Sequence, residues 1–194
     1  AHDRELTVTQ PTHPVPRAAR LLAAVAAAAL AAGALTGCSA HPGKAYVGTY
    51  TGVDGKTHAV SVSEEDVQTA ASELSKVPNM DANKIMNLLV SGQFLEGVAG
   101  KHGVAVTDRD ALAALAEVGG PGGYSRASID VVRSALIGQH LKSLDEDQQA
   151  AFVAEADAVQ ASLAGDASPR YTIGQQAWRV PASDSPLSGV SRPS

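Results

Sequence analysis

The chain has 194 residues with 15 basic and 20 acidic side chains, for a formal net charge of −5. That balance argues against nucleic acid as a partner and against electrostatic adhesion to anionic lipid. One cysteine rules out a disulfide within the chain, and seven aromatic residues (one Trp, four Tyr, two Phe) leave the core to aliphatic packing.

Residues 1–20 are polar and carry Pro11, Pro14 and Pro16. Arg17 and Arg20 then precede Leu21 to Leu35, an uncharged apolar run of 15 residues. A comfortable membrane span needs ~20. A basic region, a short apolar region and small residues after it are the anatomy of a secretory signal. The run ends in Leu35-Thr36-Gly37-Cys38, which resembles the lipobox of bacterial lipoprotein signals. The resemblance implies a thioether from Cys38 to diacylglycerol, cleavage before Cys38, and further acylation by chains such as palmitate. Residues 1–37 are thus expected to be a signal peptide with a polar leader. Removing them takes away Arg4, Arg17, Arg20, Asp3 and Glu5, leaving 12 basic and 18 acidic residues and a net charge of −6. A single acyl chain binds membranes marginally, so stable anchoring needs the two or three chains of a processed lipoprotein.

Residues 38–44 are expected to form a lipid-anchored tether, and residues 45–180 a single helical domain. Ala45 to Tyr50 alternates and contains strand formers, Asp54-Gly55 is a hairpin turn signal, and His58 to Val62 returns as a second strand. Ser63, with Asp66 three residues on, predicts a capped helix over about Glu64 to Lys76, closed by Pro78. Asp81 predicts the start of a second helix, about Ala82 to His102, with Gly103 as its C-terminal cap. Gly92, Gly97 and Gly100 weaken that helix, and close helix–helix contact is their simplest explanation. Thr107 or Asp108 can cap a third helix through about Val118, with Leu112 and Leu115 inward. Gly119 to Gly123 breaks the chain. Ser125 caps a fourth helix to about Ser143, and Asp145 opens a fifth to about Ala164. Ala177-Trp178-Arg179-Val180 reads as a short strand able to join the hairpin. Residues 181–194 read as a disordered Ser/Pro tail. The expected fold class is mostly α: a short N-terminal β-hairpin, four or five packed helices, and a C-terminal strand.

Chemistry is sparse along this chain. His41, His58, His102 and His140 fall in a tether, a strand, a helix end and a helix face, with no HExxH and no cysteine partner, so no metal site is expected. Glu64-Glu65-Asp66 and Asp145-Glu146-Asp147 open predicted helices, where negative charge complements the dipole. The glycine-rich break lacks GK[ST] and a preceding buried strand, so it is not a phosphate loop. GxSxG and SxxK are both missing. No catalytic constellation and no cofactor are expected.

From Ala45 to Val62, through Ser63-Glu64-Glu65-Asp66-Val67, Leu88-Leu89 and Leu95, to Ala99-Gly100-Lys101-His102-Gly103-Val104-Ala105-Val106-Thr107-Asp108, the order of elements resembles the N-terminal domain of SurA-like chaperones. That domain occurs in exported prolyl isomerases and in short lipoproteins of high-GC Gram-positive bacteria. Ser168-Pro169-Arg170-Tyr171 is similar to the Asn-Pro-Arg-[YF] segment that precedes the final strand in those lipoproteins. Thr49-Tyr50-Thr51-Gly52 departs from the family's compact Val-Asn-Gly turn, and no parvulin isomerase domain is present in the sequence. The resemblance implies a chaperone-like domain that binds unfolded or extended polypeptides on apolar surface, without prolyl isomerase activity. Tyr46, Tyr50, Phe94 and Leu95 are the candidate polypeptide contacts. The expected setting is the extracytoplasmic face of a cell membrane, attached through Cys38. A second reading is a cell-envelope adaptor that holds one specific folded partner.

Overall fold

The computed structural model describes residues 41–119, 122–174 and 178. Strands β1 (Lys44–Thr51) and β2 (Thr57–Ser63) form an antiparallel hairpin in which Tyr46 faces Val62 and Tyr50 faces His58. The turn is wider than a two-residue Asp-Gly turn. Gly52 N donates to Lys56 O at 2.9 Å and Gly55 N to Gly52 O at 2.9 Å, with Gly55 at φ +73°. Asp54 Oδ1 braces this loop, accepting from Lys56 N at 3.0 Å and lying 2.9 Å from His58 Nε2.

Helix α1 (Glu64–Glu73) follows β2 with no linker, because Ser63 is both the last strand residue and the N-cap, its Oγ accepting from Asp66 N at 3.0 Å. Val67, Ala70 and Leu74 turn inward. The helix stops three residues before the expected Lys76, and Asn79, at φ +58°, bends the chain toward Asp81. Asp81 caps α2 (Ala82–Lys101). Its buried residues run from Ile85 through Val90 without a break, as befits a helix covered on nearly every side. It ends as expected: Gly103 at φ +72° lets Val104 N reach Ala99 O at 2.8 Å and Gly103 N reach Gly100 O at 3.3 Å.

Helix α3 (Asp108–Gly119) is capped by Thr107, whose Oγ1 accepts from Asp110 N while Asp110 Oδ2 accepts from Thr107 N. Its inward stripe is Ala111, Ala114 and Leu115. Leu112, expected inward, is 42% exposed, since it lies one residue round the helix from Ala111. Ser125 caps α4 (Arg126–His140), which ends in a 3-10 turn (Leu141–Ser143), and Asp145 caps α5 (Glu146–Ala161).

A third strand, β3 (Ala164–Ala167), pairs antiparallel with the free side of β1 and makes the sheet order β2-β1-β3. The expected strand from the end of the chain therefore joins the hairpin, but residues 164–167 supply it. Trp178 lies in a turn, and Ala177, Arg179, Val180 and the 181–194 tail fall outside the described residues. Among the described residues the architecture is thus five α-helices over a three-stranded sheet, with α2 central and one continuous core.

Of the three glycines in α2, only Gly92 marks a tight crossing: a Cβ there would collide with Ser134 Oγ of α4. A Cβ at Gly97 would meet Val53 of the hairpin loop in ordinary contact at 3.7 Å, and one at Gly100 would meet nothing within 4 Å.

Candidate functional site

The four side chains expected to contact polypeptide are core residues. Tyr46 is 2% exposed, Tyr50 8%, Phe94 3% and Leu95 0%. Tyr46 lies over the β1–β3 contact, its hydroxyl covering Gly48 and Gly165. Tyr50 donates to Gln93 O at 2.7 Å, stacks on His58 and meets Phe94 edge-on at 5.9 Å. The structure brings Tyr50 and Phe94 together as the joint between hairpin and α2, with no surface left on either for a client. Burial raises the Tyr50 hydroxyl pKa, and the nearby Asp54 and Glu96 carboxylates push it the same way. Cys38, the expected lipid attachment point, lies outside the described residues.

Polar side chains that the sequence did not mark make the most organised site. After β3, Ser168 N donates to Ala45 O and Tyr171 N to Ser168 O, so Pro169-Arg170 forms a turn. The chain then runs across α2 and α5. Thr172 N donates to Asn83 Oδ1 at 2.8 Å, and Thr172 O accepts from Asn87 Nδ2 at 2.9 Å. Gly174 N donates to Asn87 Oδ1 at 3.1 Å, and Gly174 O accepts from Gln160 Nε2 at 3.0 Å. Three amide side chains therefore hold the N–H and C=O of two alternate residues. Asn87 is only 6% exposed, so both ends of its amide are committed to this backbone. At one end, Tyr171 places its hydroxyl 2.8 Å from Glu64 Oε2 and accepts from Gln68 Nε2 at 3.2 Å. At the other, Trp178, 2% exposed, packs on Phe152 with ring centroids 6.0 Å apart. One sequence cue was legible: Asn87 is a polar residue inside Ile85-Met86-Asn87-Leu88-Leu89, where a solvated face cannot exist.

Two networks of ion pairs tie helices together. Arg133, whose side chain is 14% exposed, reaches Glu96 at 2.7 Å, Asp108 at 3.3 Å and Asp130 at 3.5 Å. Arg126 adds contacts to Asp108 and Asp130, so α2, α3 and α4 are pinned together at this corner. Elsewhere, Glu155 on α5 pairs with Lys101 and lies 2.9 Å from His102 Nε2, while the His102 ring meets Phe152. Lys101 holds the Glu155 carboxyl below its ordinary pKa, burial opposes it, and His102 adds a smaller lowering effect. Glu73, at the end of α1, accepts from Ser125 N, Ser125 Oγ and Ser128 Oγ at 2.6–2.9 Å, and so caps α4 from a different helix. Burial raises its pKa, but the three hydrogen bonds outweigh it and the carboxyl stays below its ordinary value.

Among the described residues no group of three or more His, Cys, Asp or Glu side chains is placed to hold a metal ion. Among the same residues no helix is long and apolar enough to cross a membrane. In comparisons with known proteins, no family model, no curated protein and no solved structure matches this chain.

Proposed function

We propose that this chain is an extracytoplasmic lipoprotein, held at a cell membrane by lipid on Cys38, whose helical domain binds polypeptide without catalysis. The anchor rests on Leu35-Thr36-Gly37-Cys38 at the end of an uncharged run preceded by arginines. Polypeptide binding rests on the order of elements. A hairpin leads without a linker into a Ser63-capped helix, then a long leucine-rich helix with a Gly103 end, then a Thr107-capped helix. That is the layout the resemblance to SurA-like chaperones implies. In this reading the domain holds unfolded or extended clients close to the membrane that exports them.

One observation favours the second reading, an adaptor for a single folded partner. Among the described residues Leu112 is the one large hydrophobic side chain that is exposed. A surface so poor in apolar area suits contact with a folded partner better than broad capture of unfolded chains.

A soluble form, residues 39–194, mixed with a denatured model client separates the two. Suppression of aggregation at stoichiometric to several-fold excess is the expected result. No suppression, with one stoichiometric partner recovered from envelope extracts, replaces the chaperone-like reading with the adaptor.

A further inference from the structure

We propose that the groove between α2 and α5 is a binding site for extended polypeptide, filled here by the chain's own residues 171–174 and 178. The inference rests on the polypeptide-binding reading above and gives it a location.

The hydrogen bonds carry the argument. Asn83, Asn87 and Gln160 make four hydrogen bonds to the N–H and C=O of Thr172 and Gly174, and Asn87 Nδ2 also donates to Asn83 O at 2.8 Å. Residues two apart that present both groups to the same side are what one edge of an extended strand offers. Three amides therefore act as a strand edge built from side chains. They read the backbone of whatever lies there and no side chain, so any extended segment without proline at those two positions can make the same four bonds. Gln160 Oε1 is a further buried acceptor in the groove with no hydrogen-bond partner among the described residues.

Flanking contacts supply places for bulky side chains. Tyr171 fits beside Glu64 and Gln68, and Trp178 covers Phe152, itself 0% exposed. The resident segment belongs to neither a helix nor the sheet, and it enters through the Pro169-Arg170 turn. It has the connectivity of a tethered ligand. Tethering gives it an effective concentration of about millimolar, so a free peptide competes at a disadvantage until the resident segment is loosened. The groove expected of a polypeptide-binding domain is then present and covered, which reconciles the buried surface with the binding reading.

The only tryptophan in the sequence is part of the plug, so its emission reports occupancy. The test uses residues 39–194 and a peptide spanning residues 168–180 that carries Trp178→Phe and a fluorescent label. Titration should shift Trp178 emission to the red and raise its quenching by acrylamide, saturably. Gly174→Pro removes one of the four hydrogen bonds from the resident segment and leaves the groove intact. It should tighten peptide binding, read by anisotropy, by about tenfold. Adding Asn87→Ala to Gly174→Pro should abolish the gain. If circular dichroism shows that Gly174→Pro perturbs the fold, Tyr171→Phe loosens the segment by another route and should shift affinity the same way. Peptide affinity unchanged by loosening, or Trp178 emission constant to millimolar peptide, overturns the proposal. Aggregation suppressed without any change at Trp178 leaves polypeptide binding standing and removes it from this groove. Displacement of Trp178 without suppression keeps the groove and retires the chaperone-like reading.

Discussion

Gly92 of α2 lies so close to Ser134 of α4 that a single methyl group on Gly92 would strike Ser134 Oγ, while the serine Cβ would remain in ordinary contact at 3.6 Å. The obstacle is thus one oxygen atom, and it can be removed. Gly92→Ala should destabilise the domain by roughly 1–3 kcal/mol, the overpacking cost outweighing the gain in helix propensity. Ser134→Ala alone should cost about 1 kcal/mol or less, because it gives up only the 3.0 Å bond to Asp130 O. The double variant should recover most of the Gly92→Ala loss. Denaturant melts of all four proteins would give the coupling energy, and additive single effects would show that the crossing is looser than described.

The acid limb of stability should depend on Glu73. A carboxyl held below its unfolded pKa contributes stability in full above the unfolded value, and that contribution disappears as pH falls through the folded one. The domain should therefore weaken from about pH 4.5 downward. Glu73→Gln should lower stability at neutral pH and flatten this part of the profile, measured by melting temperature from pH 7 to pH 3. Ser128→Ala, which removes one of the three donors, should do both to a lesser degree.

Gly165 and Gly48 face each other across β1 and β3, and a Cβ on Gly165 would run into Val47 O and Gly48 Cα. Gly165→Ala should free β3 from the sheet at a cost of roughly 2 kcal/mol or more, with faster amide hydrogen exchange at Val47 and Thr49. Exchange unchanged at those two amides would mean that the strand pair tolerates the methyl group.

Cys38→Ser should move the protein from the membrane fraction to the soluble fraction and end incorporation of labelled palmitate, with the melting temperature of the domain unchanged. Retention in the membrane fraction at the level of the unaltered protein would contradict the anchor.

Local chemistry was legible in the sequence, and distant chemistry was not. Ser63, Asp81, Ser125 and Asp145 each accept from the backbone N–H three residues on, and a cap of that kind is complete within one turn. β3 was illegible because Ala164-Gly165-Asp166-Ala167 has neither alternation nor strand formers. It becomes a strand only because Gly48 lets it approach β1. Tyr46, Tyr50, Phe94 and Leu95 were expected to contact polypeptide and are buried instead, because a pattern of apolar residues does not say whether a partner or the chain itself covers them. Asn83 and Gln160 looked like ordinary solvated helix residues. Their partners, Thr172 and Gly174, are fixed by tertiary structure alone.

β1 is the middle strand of the sheet, yet it is the first of the three to be made. Its hairpin side can be satisfied within a few residues, but its other side waits for Ala164, which pairs with Thr49. Until α5 has formed and turned back, β1 has an open edge able to accept a strand from another molecule. Closing that edge joins residues more than a hundred positions apart, and non-local steps are slow. The newly made chain therefore has an interval of stickiness that ends only when nearly the whole domain, through Ala167, is available to fold.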